Sequence, residues 1–335
     1  MVFCNLQTNG LTQRAFLNTL NHPQTTCVNT MLALKHGVET SYCLKGTLAR
    51  CTFGCIAGRH RHDGSHRLRL SGNQMLTKAQ LKHLLSLKKK RGRTLQGKFL
   101  IEGVHLCREA LLANVNLEFL LYTQVGFQTE EVKGVVAEAQ KRGISNLRVS
   151  PSVLKSLADT VTPQGLLAVV RRGVPTTSLA RGKVLLLLDR VQDPGNVGTI
   201  IRTADAVGVD GVILGRESAD PFSPKVLRST MGSIFHLPIQ VGVEPQRVVA
   251  ELKKKGFRIF IAEPRAKRAH TQIRYPRRFL LVVGNEARGV RASLRPLADE
   301  LIRVPIRGRA ESLNVSMAAG VILYEALRQR DLRKK

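Results

Sequence analysis

The side chains best suited to chemistry lie between residues 284 and 316, with a partner segment upstream. An apolar run, Phe279-Leu280-Leu281-Val282-Val283, ends in Gly284-Asn285-Glu286-Ala287-Arg288-Gly289. Val304-Pro305-Ile306 follows, then Ser312-Leu313-Asn314-Val315-Ser316. Upstream, Asp193-Pro194-Gly195 leads into Asn196-Val197-Gly198-Thr199-Ile200-Ile201-Arg202. An arginine placed like Arg202 can grip phosphate through paired hydrogen bonds. Its charge beside a ribose hydroxyl stabilises the alkoxide as that oxygen loses its proton. The plainer alternative is a surface arginine after a Gly-Asn turn. Glycines just past a strand let the backbone approach a ligand closely, where open α/β sheets place ligands. A tight strand-to-helix turn explains them equally well. No Gly-x-Gly-x-x-Gly follows any of these strands, which argues against a nicotinamide-dependent oxidoreductase. Ser312 is the expected cap of a helix, with Asn314 in its first turn, where an amide can orient a neighbour or a ligand carboxylate.

The elements that must position these groups alternate. Val184–Leu188 is a strand of apolar residues, as expected for one buried on both faces. Val197, Ile200, Ile201 and Ala204 share one helical face. Further strands are expected at Val212–Leu214, Leu237–Val241, Phe257–Ala262, Phe279–Val283 and Leu301–Val304. Val248–Lys254 and Ala292–Ala298 are expected as helices between them. A last helix would start at Ser312 and run through Met317, Val321, Tyr324 and Leu327. This alternation predicts a parallel sheet covered by helices over residues 183–335.

Residues 75–172 read as a smaller α/β domain. Thr77 and Gln80 form a capping-box pattern, ahead of Leu81, Leu84, Leu85 and Leu87. Phe99-Leu100-Ile101, Leu117–Tyr122, Leu147–Val149 and Leu166–Val170 read as strands. Val104–Ala113 and Glu130–Arg142 read as helices. Residues 173–182, with Pro175, Thr176, Thr177 and Ser178, read as a linker.

Taken together, the Asn196–Arg202, Gly284–Gly289 and Val304–Ser316 segments resemble the three signature motifs of the SpoU branch of knotted RNA methyltransferases. Phe99-Leu100-Ile101-Glu102-Gly103 and Thr162-Pro163-Gln164-Gly165 resemble the ribosomal-protein-like RNA-binding domain that precedes many such catalytic domains. The resemblance implies an α/β fold with a C-terminal trefoil knot, which pattern alone never suggests because knots are almost absent from proteins. It implies ribose 2'-O-methylation of RNA with S-adenosylmethionine, no metal, and a homodimer. Arg202 takes the motif-one arginine's position, with Asn196, Glu286 and Asn314 as supporting catalytic candidates. Cofactor contacts, largely backbone in the family, fall on Gly284, Val304, Ile306, Ser312 and Leu313. The segment from Asp220 to Ser229 also fits, offering Lys225 and Arg228 to RNA phosphate, with solvated helix charge the alternative. Met317 and Val321 are candidates for the dimer interface; packing within one subunit explains them as well.

Composition supports a polyanionic partner. Lys and Arg number 53 against 24 Asp and Glu, for a net charge of +29. Such an excess favours nucleic acid through attraction and counterion release. A membrane surface binder would gather its cations on an amphipathic helix, whereas these are spread along the chain. No apolar stretch approaches a membrane span. Clusters at Lys88–Arg93, including Lys89, Lys90 and Arg91, and at Arg265–Arg278 are read as phosphate-contact surface, with ordinary solvated charge the alternative. Aromatic residues make up only 4%, so shape and phosphate recognition is expected over extensive base stacking. Large-subunit ribosomal RNA is the preferred substrate and transfer RNA the runner-up. A non-catalytic RNA-binding assembly factor is the rival class, and intact motifs argue against it.

Residues 1–74 differ from the rest. They hold two acids, Glu39 and Asp63, and five of six cysteines: Cys4, Cys27, Cys43, Cys51 and Cys55. Met75 is the expected functional start, with the prefix a disordered arm or spurious extension. Organelle targeting is the less favoured alternative to a cytoplasmic protein. Without a secretory signal a disulfide framework is not expected. Cys51, Cys55, His60 and His62 match no familiar zinc spacing.

Overall fold

The computed structural model describes residues 76–173 and 179–333, preceded by four short backbone segments between residues 2 and 48 that pair as two antiparallel ribbons. The cysteine and histidine readings of residues 1–74, the Met75 start and residues 174–178 of the linker lie outside the described residues.

Two helices open the smaller α/β unit. The first, α1 (Lys78–Ser86), is capped as its sequence requires: Thr77 accepts the Gln80 N–H, and the Gln80 side chain accepts the Thr77 N–H. Leu84 and Leu87 are buried beneath it. Helix α2 (Lys90–Gln96) was not expected; it ends at Gly97 in the left-handed region. A four-stranded sheet follows, built from β1 (Lys98–Glu102), β2 (Leu117–Tyr122), β3 (Ser145–Arg148) and β4 (Leu166–Arg171), in the order β1-β4-β2-β3. Helices α3 (Val104–Leu112) and α4 (Glu130–Lys141) pack on one face. Helix α1 and the short α5 (Pro151–Leu157) pack on the other.

The larger unit is a seven-stranded sheet in which every pair is parallel. Its strands are β5 (Val184–Asp189), β6 (Gly211–Gly215), β7 (Ile239–Val243), β8 (Arg258–Ala262), β9 (Arg268–Ala269), β10 (Phe279–Gly284) and β11 (Glu300–Arg303). They lie in the order β7-β6-β5-β10-β8-β11-β9. The central pair, β5 and β10, is buried at every position. Period-two alternation splits their side chains between two cores. Leu186, Leu188, Leu281 and Val283 face α6 (Pro194–Ala206) and α9 (Val315–Leu332). Leu185, Leu187, Leu280 and Val282 face α8 (Pro245–Lys254). Each such leucine contributes about 1.5–3 kcal/mol by leaving water.

Several expected bounds shift. The seventh-strand residues begin at Ile239 rather than Leu237, and β11 ends at Arg303, so Val304 is loop. Residues 292–297 form a 3-10 turn instead of an α-helix, because Pro296 inside it cannot donate an N–H.

The two units dock through specific contacts. Arg93, 4% exposed, donates from Nε and Nη2 to Asp220 Oδ2 at 2.9 and 2.7 Å. Phe99 of β1 packs against Phe222 with ring centroids 4.9 Å apart, and the Arg172 guanidinium lies over the same Phe222 ring, 4.4 Å from its centroid. Arg228 on α7 (Pro224–Thr230) reaches Asp159 at 2.7 Å.

Helix α9 is also tied to the loop before β10. Glu325 accepts two hydrogen bonds from Arg328 and one from Gln329, which in turn accepts the Tyr275 N–H and donates to Ile273 O. The Arg328 bonds come first among the causes that hold the Glu325 carboxyl down at about 2, against burial that raises it. A depressed pKa gives stability present above the unfolded value of 4.5 and lost as pH falls towards 2. Glu325→Gln should therefore lower Tm at neutral pH and make no difference near the acid end of that window. Equal melting at both pH values would remove this contribution.

Candidate active site

The carboxyl ends of β5 and β10 bring the motif segments together. Asp193 caps α6, accepting the Asn196 N–H at 2.8 Å, with Pro194 pre-set for the first turn. Asn196 Nδ2 donates to Glu286 Oε1 at 3.0 Å. Asn314 Nδ2 donates to Asn196 Oδ1 at 2.9 Å. Asn314 Oδ1 accepts from the Ser316 N–H and hydroxyl, at 2.9 and 2.6 Å. Each amide donates on one side and accepts on the other, so the network itself fixes both orientations. Glu286 also accepts the Asp193 N–H at 3.3 Å, placing a carboxylate at the positive end of α6. The result is a continuous relay, Glu286–Asn196–Asn314, with one residue from each motif.

The cap of α9 is Asn314, not Ser312, and the helix starts at Val315. Ser312 stays in an exposed loop. The amide does the capping because Asn314 sits immediately before the first helical residue, where its Oδ1 reaches the Ser316 and Met317 N–H groups.

Arg202 is not part of the relay. It is exposed on α6 and makes no hydrogen bond or ion pair with the described residues. Six residues along a helix rotate it roughly 120° away from Asn196 and about 9 Å along the axis. It lies about 40° around α6 from Gly198, which packs on Ser229 of α7, whereas Thr203 packs beside Gly320 of α9, the helix on which Met317, Val321 and Tyr324 are exposed. Core packing does not explain those three; Ala319, Ile322, Leu323 and Ala326 form the buried face.

The motif glycines are set by chain packing. A Cβ on Gly284 would lie 2.3 Å from Gly289 C and Val290 N. The 285–289 loop folds back there, Asn285 and Gly289 exchanging both backbone bonds. Gly289 takes φ of +65°, which favours glycine. A Cβ on Gly198 would strike Ser229 Cβ at 2.3 Å, where α6 meets α7. Gly284→Ala is expected to cost about 1–3 kcal/mol or more through overpacking and to weaken ligand binding at the loop. Parent-like melting would overturn that.

Behind the relay lies an ion pair that sequence reading missed. Asp189, fully buried at the end of β5, accepts the Arg291 N–H at 2.8 Å and Nε at 2.7 Å. This ties the return of the motif-two loop to the central strand. The only signal was an acid closing an apolar run.

The loop from Val304 to Leu313 includes Ile306 and Ser312. None of its backbone groups bonds another described backbone group. Of the basic candidates, Lys89, Lys90, Arg91 and Lys225 are exposed. Lys88 is spent on the Ser156 and Ala158 carbonyls, and Arg93 on Asp220. Arg228 is engaged with Asp159, which makes it an inter-unit contact. Among the described residues no group of three or more His, Cys, Asp or Glu is placed to hold a metal ion, and no helix is long and apolar enough to cross a membrane.

An all-parallel sheet covered on both faces, with a polar relay over its strand ends, defines an α/β protein with its site in the usual place. Residues 183–324 match the SpoU rRNA Methylase family, and residues 78–168 match the MRM3-like substrate binding domain. The chain is 38% identical over 246 residues to the 23S rRNA (guanosine(2553)-2'-O)-methyltransferase RlmP of Bacillus subtilis, covering 73% of this chain and 94% of that protein. The SpoU methyltransferase AviRb of Streptomyces viridochromogenes, solved with AdoMet, superposes with a TM-score of 0.69 at 29% identity, covering 76% of this chain and 99% of that one. An AdoMet-bound rRNA methyltransferase from Sinorhizobium meliloti superposes at 0.66 with 32% identity, over 76% and 96%. The chain belongs to the SpoU rRNA methylase family.

Proposed function

We propose that this protein is an S-adenosylmethionine-dependent RNA methyltransferase that modifies a ribose 2'-hydroxyl of large-subunit ribosomal RNA. The observation that carries the reading is the Glu286–Asn196–Asn314 relay, which joins all three motifs over the strand ends. The activities of the relatives support the reaction, and the net charge of +29 supports an RNA partner.

The residues fit the cofactor. The uncommitted backbone of residues 304–313 offers donors and acceptors to an adenine edge and an amino-acid tail. Gly284, Val304, Ile306, Ser312 and Leu313 would hold it. When bound, S-adenosylmethionine supplies a methyl activated on a sulfonium. The relay keeps Asn314 and Glu286 in fixed orientation at the ligand's edge. Arg202 binds RNA phosphate and stabilises the ribose oxygen as its proton leaves. The guanidinium stays protonated at ordinary pH, so a neighbouring phosphate or solvent takes the proton.

The same reading includes a trefoil knot formed by the motif loops and a homodimer through the α9 stripe. Met317 and Tyr324 on α9 and Leu313 just before it are 60%, 53% and 40% exposed, an apolar strip of the kind that marks an interaction surface.

Transfer of labelled methyl from S-adenosylmethionine to purified large-subunit RNA and transfer RNA tests the reading. Label at one ribosomal site in an alkali-resistant linkage is expected. Label on transfer RNA alone would overturn the substrate, and label on neither RNA nor ribosomal particles would overturn the activity.

A further inference from the structure

The far end of the catalytic sheet holds a cleft that the reaction does not use. Helix α9 has 18 residues and runs about 27 Å, whereas β5 and β10 have 6 each and run roughly 20 Å. The helix begins at the relay, so its last turns overhang the strands' amino ends. The gap beneath is a cleft of about 370 Å³, within the range that holds small ligands. Its floor is apolar, from Val184, Val209, Leu323 and Leu327. Its polar rim is cationic, from Lys183, Arg277, Arg330 and Arg333, with no Asp or Glu among the lining residues.

We infer that this cleft binds one unstacked nucleotide of the RNA, its base on the apolar floor and its phosphate on the basic rim. The inference rests on the RNA-binding reading above and extends it to a second contact, about 24 Å along α9 from Asn314. Three observations carry it. First, helix-end capping does not account for the rim. Arg330 Nη2 does bond the Val207 carbonyl at the end of α6, at 2.8 Å, as a helix C-terminus favours. Lys183 and Arg277, however, precede β5 and β10 and cap no helix. The nearby Asp210 is committed to the Lys183 and Val184 N–H groups, at 2.8 Å each. Second, Arg330 Nε is buried without a partner in the structure; a buried unsatisfied donor calls for an acceptor, which a phosphate or base carbonyl provides. Third, Arg274, exposed and next in sequence to the lining residue Tyr275, extends the basic rim beyond the cleft. It also stays open in the proposed dimer: Met317, Val321 and Tyr324 span roughly 60° of α9, and the cleft residues lie on its far side.

Photo-crosslinking of the full chain to a short single-stranded oligouridylate containing 4-thiouridine tests the assignment. Crosslinked peptides are expected within residues 275–279 or 323–333; crosslinks confined to the motif loops or the smaller unit overturn it. The double variant Arg277→Gln/Arg333→Gln should bind the same oligonucleotide about tenfold more weakly. Its charge-matched control is Lys254→Gln/Lys255→Gln, at exposed positions at the end of α8, whose helix packs on the other face of the sheet. Equal losses in both would reduce the effect to bulk charge and overturn the cleft. Methyl transfer assayed on the same wild-type preparation separates the two readings. Transfer without a cleft crosslink removes only the cleft, and a cleft crosslink without transfer to any RNA removes only the transferase.

Discussion

Arg202→Ala is expected to lower single-turnover methyl transfer by about 10²–10³-fold, the usual loss when one charge-stabilising donor is removed. Affinity for S-adenosylmethionine should stay within about twofold, because the proposed cofactor contacts lie on the strand-end loops. The structure makes the split sharp. Arg202 is exposed, outside the Glu286–Asn196–Asn314 relay, and bonded to nothing else described, so its loss disturbs no internal network. Thermal melting should accordingly match the parent. Equal losses in cofactor affinity and turnover would show that Arg202 builds the cofactor site, and unchanged turnover would remove it from the reaction. Asn314→Ala supplies the contrast: it loses the α9 cap and one end of the relay, so it should change stability and cofactor affinity together.

Asp189→Ala carries the largest expected effect on stability, about 3–5 kcal/mol, because it breaks a buried pair and leaves Arg291 only longer contacts with Glu217 and Glu244, at 3.7 and 3.6 Å. For a unit of this size that corresponds to roughly 6–20 °C in Tm. Asp189 is fully buried and holds Arg291 by both its backbone and its side chain. Cofactor affinity should fall as well, since the tie fixes the return of the 285–291 loop. The double variant Asp189→Ala/Arg291→Met should recover part of the loss, because it removes both charges. A double variant no more stable than Asp189→Ala would show that the pair's electrostatic coupling is not what the site needs.

What was legible in the chain followed from local physics. The Thr77–Gln80 box caps its helix as read, because both partners lie within one turn. Val184–Leu188 and Phe279–Val283 form the central buried strands, because unbroken apolar runs fit only where both faces are covered. Val197, Ile200, Ile201 and Ala204 are all buried on one face of α6. The motif segments converge because each lies near the carboxyl end of a parallel strand, and the resemblance named the chemistry.

Only the tertiary structure decided how those segments are wired. Asn196 meets Glu286 across 90 residues and Asn314 across 118, separations over which no local period carries information. Gly284 and Gly198 are each required by the close approach of neighbouring backbone and side chains, which the sequence does not show. Asn314 displaces Ser312 as the cap because the helix starts later than the serine suggested. Arg93 and Arg228, read as charges for RNA, are engaged by acids whose approach depends on how the two units dock. The sequence by itself determined which groups were available and which faces were apolar, since both follow from residue type and spacing. The fold determined which of them touch, because contacts between distant segments arise only when whole elements pack.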